Sequence, residues 1–278
     1  MLDRRQIRRV VDLALDEDAP HGDLTSEVFV PADAVATADL VAREPGVFAG
    51  AEVFEVAMTT LDPAVKVVVH VADGERFEAG TPLATVHGNA RAVLRGERIA
   101  LNLVQRMCGI ATMTAAYVEA AGPGVRVADT RKTTPGLRAL ERHAVRCGGG
   151  QNHRFSLSDA VMAKDNHLAL VDDVTEAIRA ARARLPHTTH LEVEADRIDQ
   201  IEPVLAGGVD TIMLDNFSLD DLRAGVELVA GRALVEASGG VDLSSIGAIA
   251  TTGVDVISVG ALTHSVRNLD LGLDVRLS

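Results

Sequence analysis

From about residue 125 onward the chain repeats one grammar: a short apolar run, a polar or glycine-bearing turn, then a segment of helical period. The runs are VRVAD (125–129), AVMAK (160–164), HLEVE (190–194), TIMLD (211–215), ALVEA (233–237) and DVISV (255–259). The last four start some 21 to 30 residues after the one before. Consecutive strand–helix units of this kind favour parallel pairing through right-handed crossovers, hence a barrel or a doubly wound sheet. A dinucleotide-binding sheet would carry GxGxxG after its first strand and an acid about 20 residues later, and this chain has neither. A barrel of six or more strands fits better, although eight would be needed for standard closure.

The intervening helices carry their own punctuation. Asp172 and Asp173 stand where an N-cap belongs, ahead of an apolar face through Val174, Ala177, Ile178, Ala181 and Leu185. Ser218 and Asp221 form a capping box before Leu222, Val226 and Val229. Leu243, Ile246 and Ile249 predict a helix after Asp242, closed by Gly253. Pro203 lies inside Ile198 to Leu205, so that helix starts late or kinks.

The first 107 residues read differently. An amphipathic helix opens the chain. Alternating stretches at 36–42 and 65–74 follow, with turns at Pro45-Gly46 and Ala79-Gly80, as in a smaller α+β domain. A helix through Leu94, Leu101, Val104 and Cys108 leads onward and continues past Gly109. The opening residues are too often interrupted by charge to be a signal peptide, and no run approaches the ~18 apolar residues of a membrane span, so the expected location is the cytoplasm. Cys108 and Cys147 lack CxxC spacing, which argues against a disulfide framework or a cysteine zinc site.

The formal charge of −13 argues against nucleic acid, whose phosphates need a broad basic surface. Against that background the strand ends stand out. They deliver Asp129-Thr130-Arg131-Lys132, Lys164-Asp165, Glu194, Asp215, Ser238-Gly239-Gly240 and Gly260-Ala261. In barrels the C-terminal strand ends build the reactive face. One charged strand end is readily explained by solvation, whereas a ring of them is not, because unpaired buried charge costs several kcal/mol. Only three of the 27 basic side chains are lysines, and two of those, Lys132 and Lys164, fall here; Lys66 sits in an alternating strand and is expected in solvent.

Residues 131–154 hold six Lys or Arg and two His against one acid, Glu141, a combination that focuses anions. Arg131, Lys132, His153 and Arg154 flank this loop. Arg138, Arg142 and Arg146 have helical spacing and are equally well read as a solvated face. Ser238-Gly239-Gly240 and Gly260-Ala261 follow the last two strands, where barrels commonly hold phosphate through backbone N–H groups. Glu194 and Asp215 offer hard oxygen ligands suited to Mg²⁺. Glu192 shares the pleat face of Glu194, as a supporting partner or a buried acid.

The motifs DTRKTTPGLR (129–138), GGGQNHR (148–154), AKDNH (163–167), EVEAD (192–196), IMLDNF (212–217), EASGGV (236–241) and VGALTHS (259–265) resemble quinolinate phosphoribosyltransferases, as do EDAPHGDLTS (17–26) and RGERIALNLVQRMCGIAT (95–112). The resemblance implies an N-terminal α/β sandwich over 1–107, an incomplete, open α/β barrel of about six to seven parallel strands over 108–267, and a tail, 268–278, packed on the first domain. It implies transfer of phosphoribose from phosphoribosyl pyrophosphate to quinolinate, with Mg²⁺, giving nicotinate mononucleotide, pyrophosphate and carbon dioxide. It also implies a homodimer or a dimer-based hexamer. Carried over by motif, Thr130, Arg131, Lys132, His153 and Arg154 would hold quinolinate, and Lys164 would lie over substrate and phosphates. Glu194 and Asp215 would serve ribose and metal. Ser238, Gly239, Gly240, Gly260, Ala261 and His264 would serve the phosphate, and Arg98 would reach the neighbouring subunit's site. The chain departs from the pattern at Arg142-His143, where Lys-Tyr is common, and at Cys108, where Ser is usual. A transferase using nicotinate, an aldolase-type barrel with a Lys164 Schiff base, and a non-catalytic anion binder are the competing readings.

Overall fold

The computed structural model describes residues 2–276, so Met1 and the last two residues of the expected tail lie outside the described residues. The chain forms two compact units, one of 2–115, 133–149 and 263–276 and one of 116–132 and 150–262. In chain order the elements are α1 (Arg4–Asp18), α2 (Leu24–Phe29), β1 (Val35–Ala42), β2 (Gly46–Val47), α3 (Ala51–Thr59), β3 (Lys66–Val69), β4 (Arg76–Phe77), β5 (Pro82–Asn89), α4 (Ala90–Ala121) and β6 (Arg126–Ala128). Then come α5 (Arg138–Cys147), β7 (Val161–Ala163), α6 (Asp165–Leu168), α7 (Val174–Arg184), β8 (Leu191–Ala195), α8 (Ile201–Gly207), β9 (Thr211–Asp215), α9 (Leu219–Val229), β10 (Leu234–Ser238), α10 (Ile246–Ala250), β11 (Val256–Ser258), α11 (Ala261–His264) and β12 (Leu271–Val275).

In the first unit, Asp3 and Gln6 cap α1 reciprocally, and Ile7, Val11 and Leu15 bury one stripe of it at four-residue spacing. The sheet runs β12-β1-β5-β3, with β1 antiparallel to both neighbours. Ala38, Leu40 and Ala42 alternate inward on β1. Asp39 on the other face accepts two hydrogen bonds from Arg276, at 2.7 and 2.8 Å, tying the end of the described chain to the first strand. A second tie is Glu44, which binds both terminal nitrogens of Arg267 and the amide of Asp270.

The second unit is a six-stranded parallel sheet in the order β6-β11-β10-β9-β8-β7, so β6 and β7 are its edges. Gln151 makes a parallel bridge to Ala128 and extends the β6 edge by one rung. One face is apolar and buried, with Val193, Ile212, Val235 and Ile257 on neighbouring strands. The other carries Glu192, Glu194, Thr211, Glu236 and Ser258, all buried as well. No helix among the described residues is long and apolar enough to cross a membrane.

Asp173 and Ser218 cap α7 and α9. A 3₁₀ turn at Ile198–Gln200 delays α8, so Pro203 falls in its first turn, where no N–H is required. Leu243 does not join α10, which begins at Ile246; it is 49% exposed, because Asp242 spends its side chain capping a turn through Ser244 and Ser245. The compact units also cut across the expected division at 107/108. Helix α4 runs unbroken past that point, and 133–149 groups with the first unit. The cause is Arg106 on α4, which donates to Glu141 at 2.7 Å, to Thr134 Oγ1 at 2.9 Å and to the Thr263 carbonyl at 2.9 Å, gathering α5 and the return segment around one guanidinium.

Hydrogen bonding by Arg267 and the Asp270 amide holds the Glu44 carboxyl down to about 2, from an ordinary 4.5. A depressed carboxylate stabilises the fold above the unfolded value and loses that contribution as pH falls towards the folded value. Glu44→Gln should therefore lower Tm at neutral pH, and the gap from the unsubstituted protein should narrow as pH falls below about 4.5; thermal melts across pH 7 to 3 check this.

Candidate active site

At the end of β6 the barrel unit holds one buried carboxylate. Asp129, directly after β6, is 0% exposed. It accepts from Asn152 Nδ2 at 2.6 Å and from the backbone N–H of His153 at 2.8 Å. The Asp129 amide in turn donates to the Gln151 carbonyl at 3.0 Å. An ionised acid at this depth persists only with strong donors, and it has them. The effect is to clamp 151–154 alongside β6.

That clamp brings two expected anion ligands together. Arg131 is half-buried, as is Arg154, whose guanidinium donates to the Ala160 carbonyl at 3.2 Å. Burial, and then the charge of Arg131, lowers the pKa of Arg154. Two guanidiniums that feel one another in a protected place are suited to a multiply charged anion. Lys132 is exposed, and its amide donates to Thr130 Oγ1 at 3.1 Å, which shapes the turn between them.

His153 faces inward. Its Nε2 lies 3.1 Å from Glu192 and 3.5 Å from Glu236, and its Nδ1 accepts the Arg154 amide at 2.7 Å. Burial opposes charge on the ring, but hydrogen bonds to Glu192 and then Glu236 outweigh it and push the pKa up to about 10. Both ring nitrogens thus have partners within the barrel unit, Glu192 and Glu236 at Nε2 and the Arg154 amide at Nδ1. A cavity of about 340 Å³ beside it is lined by Arg126, Gln151, Arg154, Glu192 and Glu236, among others, and touches the first residues of several strands rather than their ends.

On the neighbouring strands, Lys164 at the end of β7 ion-pairs with Glu194 Oε2 on β8. Glu194 is 7% exposed, whereas the Lys164 side chain is 43% exposed, so the ammonium reaches an interior carboxylate from the surface. Beside Glu194, a cleft of about 470 Å³ is lined also by Asp165, Asp196, Arg197 and Gln200. Asp215 ends β9 on the same pleat face as Glu194 and pairs in register with Ser238 on β10. Asn216, at φ 57, turns back so that its Nδ2 donates to Asp215 at 2.6 Å. Gly239 (φ 91) and Gly240 (φ 59) follow Ser238. A Cβ on Gly239 would meet Asn216 Oδ1 at 2.2 Å, so that position excludes any side chain. Gly260 and Ala261 mark the passage from β11 into α11.

Arg98 and His264 belong to the other unit. Arg98 is exposed on α4, and His264 is exposed at the end of α11 with Nδ1 2.7 Å from Ser265 Oγ. The cationic run is therefore divided between the units: Arg131, Lys132, His153 and Arg154 lie in the barrel unit, while Arg138, Arg142 and Arg146 lie in the first. Arg146 is exposed, but Arg142 is 8% exposed and Arg138 donates to Thr133 at 2.9 Å, so these three are not one solvated face. Asn152, Asn216 and Arg106 were not among the expected site residues. For Arg106 a signal existed, an arginine beside Leu103, Val104 and Met107 in an otherwise buried helical stretch. The two asparagines act through backbone geometry that sequence spacing does not display.

Asp129→Asn should weaken the clamp on 151–154 and cost about 2–3 kcal/mol, roughly the value of hydrogen bonds to a charged acceptor, as read from urea unfolding.

Two family models cover most of the chain: the C-terminal domain of quinolinate phosphoribosyl transferase matches residues 110–274 and the N-terminal domain matches 23–108. The chain is 46% identical over 278 residues to nicotinate-nucleotide pyrophosphorylase (carboxylating) of Mycobacterium leprae, covering 96% of each. It is 39% identical over 288 residues to a mitochondrial quinolinate phosphoribosyltransferase (decarboxylating) of Nicotiana glauca, covering 97% of this chain and 82% of that one. The crystal structure of NadC from Streptococcus pyogenes superposes with a TM-score of 0.95 at 42% identity, over 100% of this chain and 99% of the other.

Proposed function

The chain belongs to the quinolinate phosphoribosyltransferase family, and on that premise we propose that Arg131 and Arg154 grip the two carboxylates of quinolinate while Lys164, Glu194 and Asp215 receive phosphoribosyl pyrophosphate. The reaction is phosphoribosyl transfer to the quinolinate nitrogen with loss of carbon dioxide, giving nicotinate mononucleotide and pyrophosphate. The observation that carries the residue roles is geometric: buried Asp129 holds Asn152 and the His153 amide, so Arg154 is fixed on the segment beside the strand end that bears Arg131. A dicarboxylate relieves that like-charge pair, and a monocarboxylate leaves part of it uncompensated.

Thr130 and Lys132 complete the rim of this pocket, and His153 keeps Arg154 in place. Transfer develops positive charge at the anomeric carbon, for which a fixed carboxylate, Glu194, is the natural partner. The Lys164 ammonium can leave Glu194 to meet the departing pyrophosphate. This ion pair also speaks against a Schiff-base role, which requires the free amine. As carbon dioxide leaves, the arginines stabilise the negative charge on the pyridine ring. Gly239 and Gly240, left-handed and without side chains, let a ligand approach the main chain closely, which suits the 5′-phosphate; Gly260 and Ala261 would add to it.

Mg²⁺ fits the donor set. Glu194 and Asp215 are carboxylates on one pleat face, each already oriented by a neighbour, Lys164 or Asn216. Two carboxylates are what Mg²⁺ ordinarily takes from a protein when substrate phosphates supply other ligands. When bound, it would neutralise charge on the pyrophosphate oxygens. The exposed Arg98 would be donated across a homodimer, alone or within a dimer-based hexamer, to the partner's site.

Purified protein given Mg²⁺, quinolinate and phosphoribosyl pyrophosphate should form nicotinate mononucleotide and carbon dioxide, with much slower turnover on nicotinate; equal turnover on both would defeat the dicarboxylate reading. Arg131→Ala and Arg154→Ala should raise KM for quinolinate roughly 10–100-fold. Glu194→Ala should act mainly on kcat. Mixing inactive Arg98→Ala and Lys164→Ala proteins should restore part of the activity through hybrid dimers, and hybrids without activity would count against donation across the interface.

A further inference from the structure

A second constellation lies in the first unit, among residues given no role above. Asp73, in the turn between β3 and β4, faces His143 and Cys147, which are one turn apart on α5. His143 Nε2 is 2.6 Å from Asp73 Oδ2 and 3.4 Å from Cys147 Sγ. The three candidate ligand atoms lie within 4.8 Å of one another. His143 is one of the positions where the chain departs from the pattern of its family. The spacing rule for cysteine zinc sites could not reveal this group, since its members come from residues 73, 143 and 147.

Each side chain is held ready by contacts that leave one donor atom facing the others. Asp73 Oδ1 accepts the amides of Gly50 and Ala51, at 2.8 and 2.9 Å, at the start of α3, so Oδ2 alone turns to His143. Gly74 (φ 91) passes so close to α5 that a Cβ there would lie 3.4 Å from the Cys147 carbonyl. The side chains of Asp73 and His143 are 25% and 26% exposed, and Cys147 is half-buried, so an ion can reach them.

We propose that Asp73, His143 and Cys147 form a binding site for a borderline-soft divalent cation of the Zn²⁺ type, clipping α5 to the β3–β4 turn, with water or another ligand at the fourth position. One thiolate, one imidazole and one carboxylate are a donor set that such an ion accepts, and the ion's two charges are balanced by the two anions. With bonds of about 2.0–2.3 Å, tetrahedral ligand atoms stand about 3.3–3.6 Å apart. The Cys147–His143 separation of 3.4 Å already meets this, and the Asp73 carboxylate must draw back from His143 by about 0.7 Å or a little more to make room for the ion. On binding, the His143 proton moves from Nε2 to Nδ1, and the thiol proton leaves to solvent, so one proton is released per ion.

The obvious rival is a Cys–His–Asp nucleophile. Burial and then the charge of Asp73 push the Cys147 thiol up to about 12, the opposite of what a nucleophile requires. A metal removes that proton directly. Cys108, fully buried and likewise pushed up to about 12 by burial, donates to the Ala49 carbonyl at 3.5 Å and lies outside the three-ligand group.

The test uses the full chain stripped with chelator and titrated with Co²⁺, followed by Zn²⁺ displacement. The expected result is one ion per chain, a thiolate-to-cobalt charge-transfer band in the near ultraviolet, one proton released per ion, and a Tm that rises with Zn²⁺. Cys147→Ser should abolish the band and weaken Zn²⁺ by more than the roughly 10–100-fold typical of losing a mere supporting partner; Cys108→Ser should keep it. If Cys147→Ser does not fold, His143→Gln and protection of Cys147 from maleimide by Zn²⁺ in the unsubstituted protein decide instead. No charge-transfer band, a band that survives Cys147→Ser, or equal maleimide labelling with and without Zn²⁺ overturns the site.

Discussion

The barrel unit is organised around a charge that water does not reach. Asp129 is fully buried, and its two oxygens are occupied by the Asn152 side chain and the His153 amide. That carboxylate joins the bridge at Gln151 in holding 151–154 against the open edge of the sheet. Arg154 is in that segment, and Arg131 lies two residues beyond the acid. Folding alone therefore positions both cations, before any ligand is present.

The polar face of the sheet follows the same logic. A barrel interior is ordinarily filled with branched apolar residues, yet here Glu192, Glu194 and Glu236 are buried on it. Burial and the nearness of Glu236 raise the pKa of Glu192, with His153 acting against them. These acids keep company with basic groups that are themselves tied to the site: His153 for two of them, Lys164 for the third. The interior is thus less a stabilising core than a support for the charges above it. Such a support carries a cost in desolvation that an apolar core of the same shape would not have.

Much of this was legible in the sequence, for identifiable reasons. Six parallel strands announce themselves as apolar runs, and the residues at their ends are fixed by register once the strands are placed. Lys164, Glu194, Asp215 and Ser238 could be read that way. His153 could be found but not understood, because its partners Glu192 and Glu236 lie on other strands and only the fold brings them beneath it. Arg142 looked like solvent-facing charge on spacing alone, and packing buried it. Likewise, Glu141 read as the lone acid in a basic loop, whereas it is the counter-ion of Arg106 and the reason α5 groups with the first unit.

The strand β12 pairs with β1 along five residues, although every strand of the barrel lies between them in the chain. Contacts of such long sequence separation form late, since the closure entropy of the intervening loop must be met first. During synthesis, the N-terminal sheet therefore presents an unpaired edge for as long as the ribosome takes to make the barrel. The exposed strand edge is a place where two nascent chains could pair with each other, so the order of translation, and not only the final fold, determines when this protein is most vulnerable to aggregation.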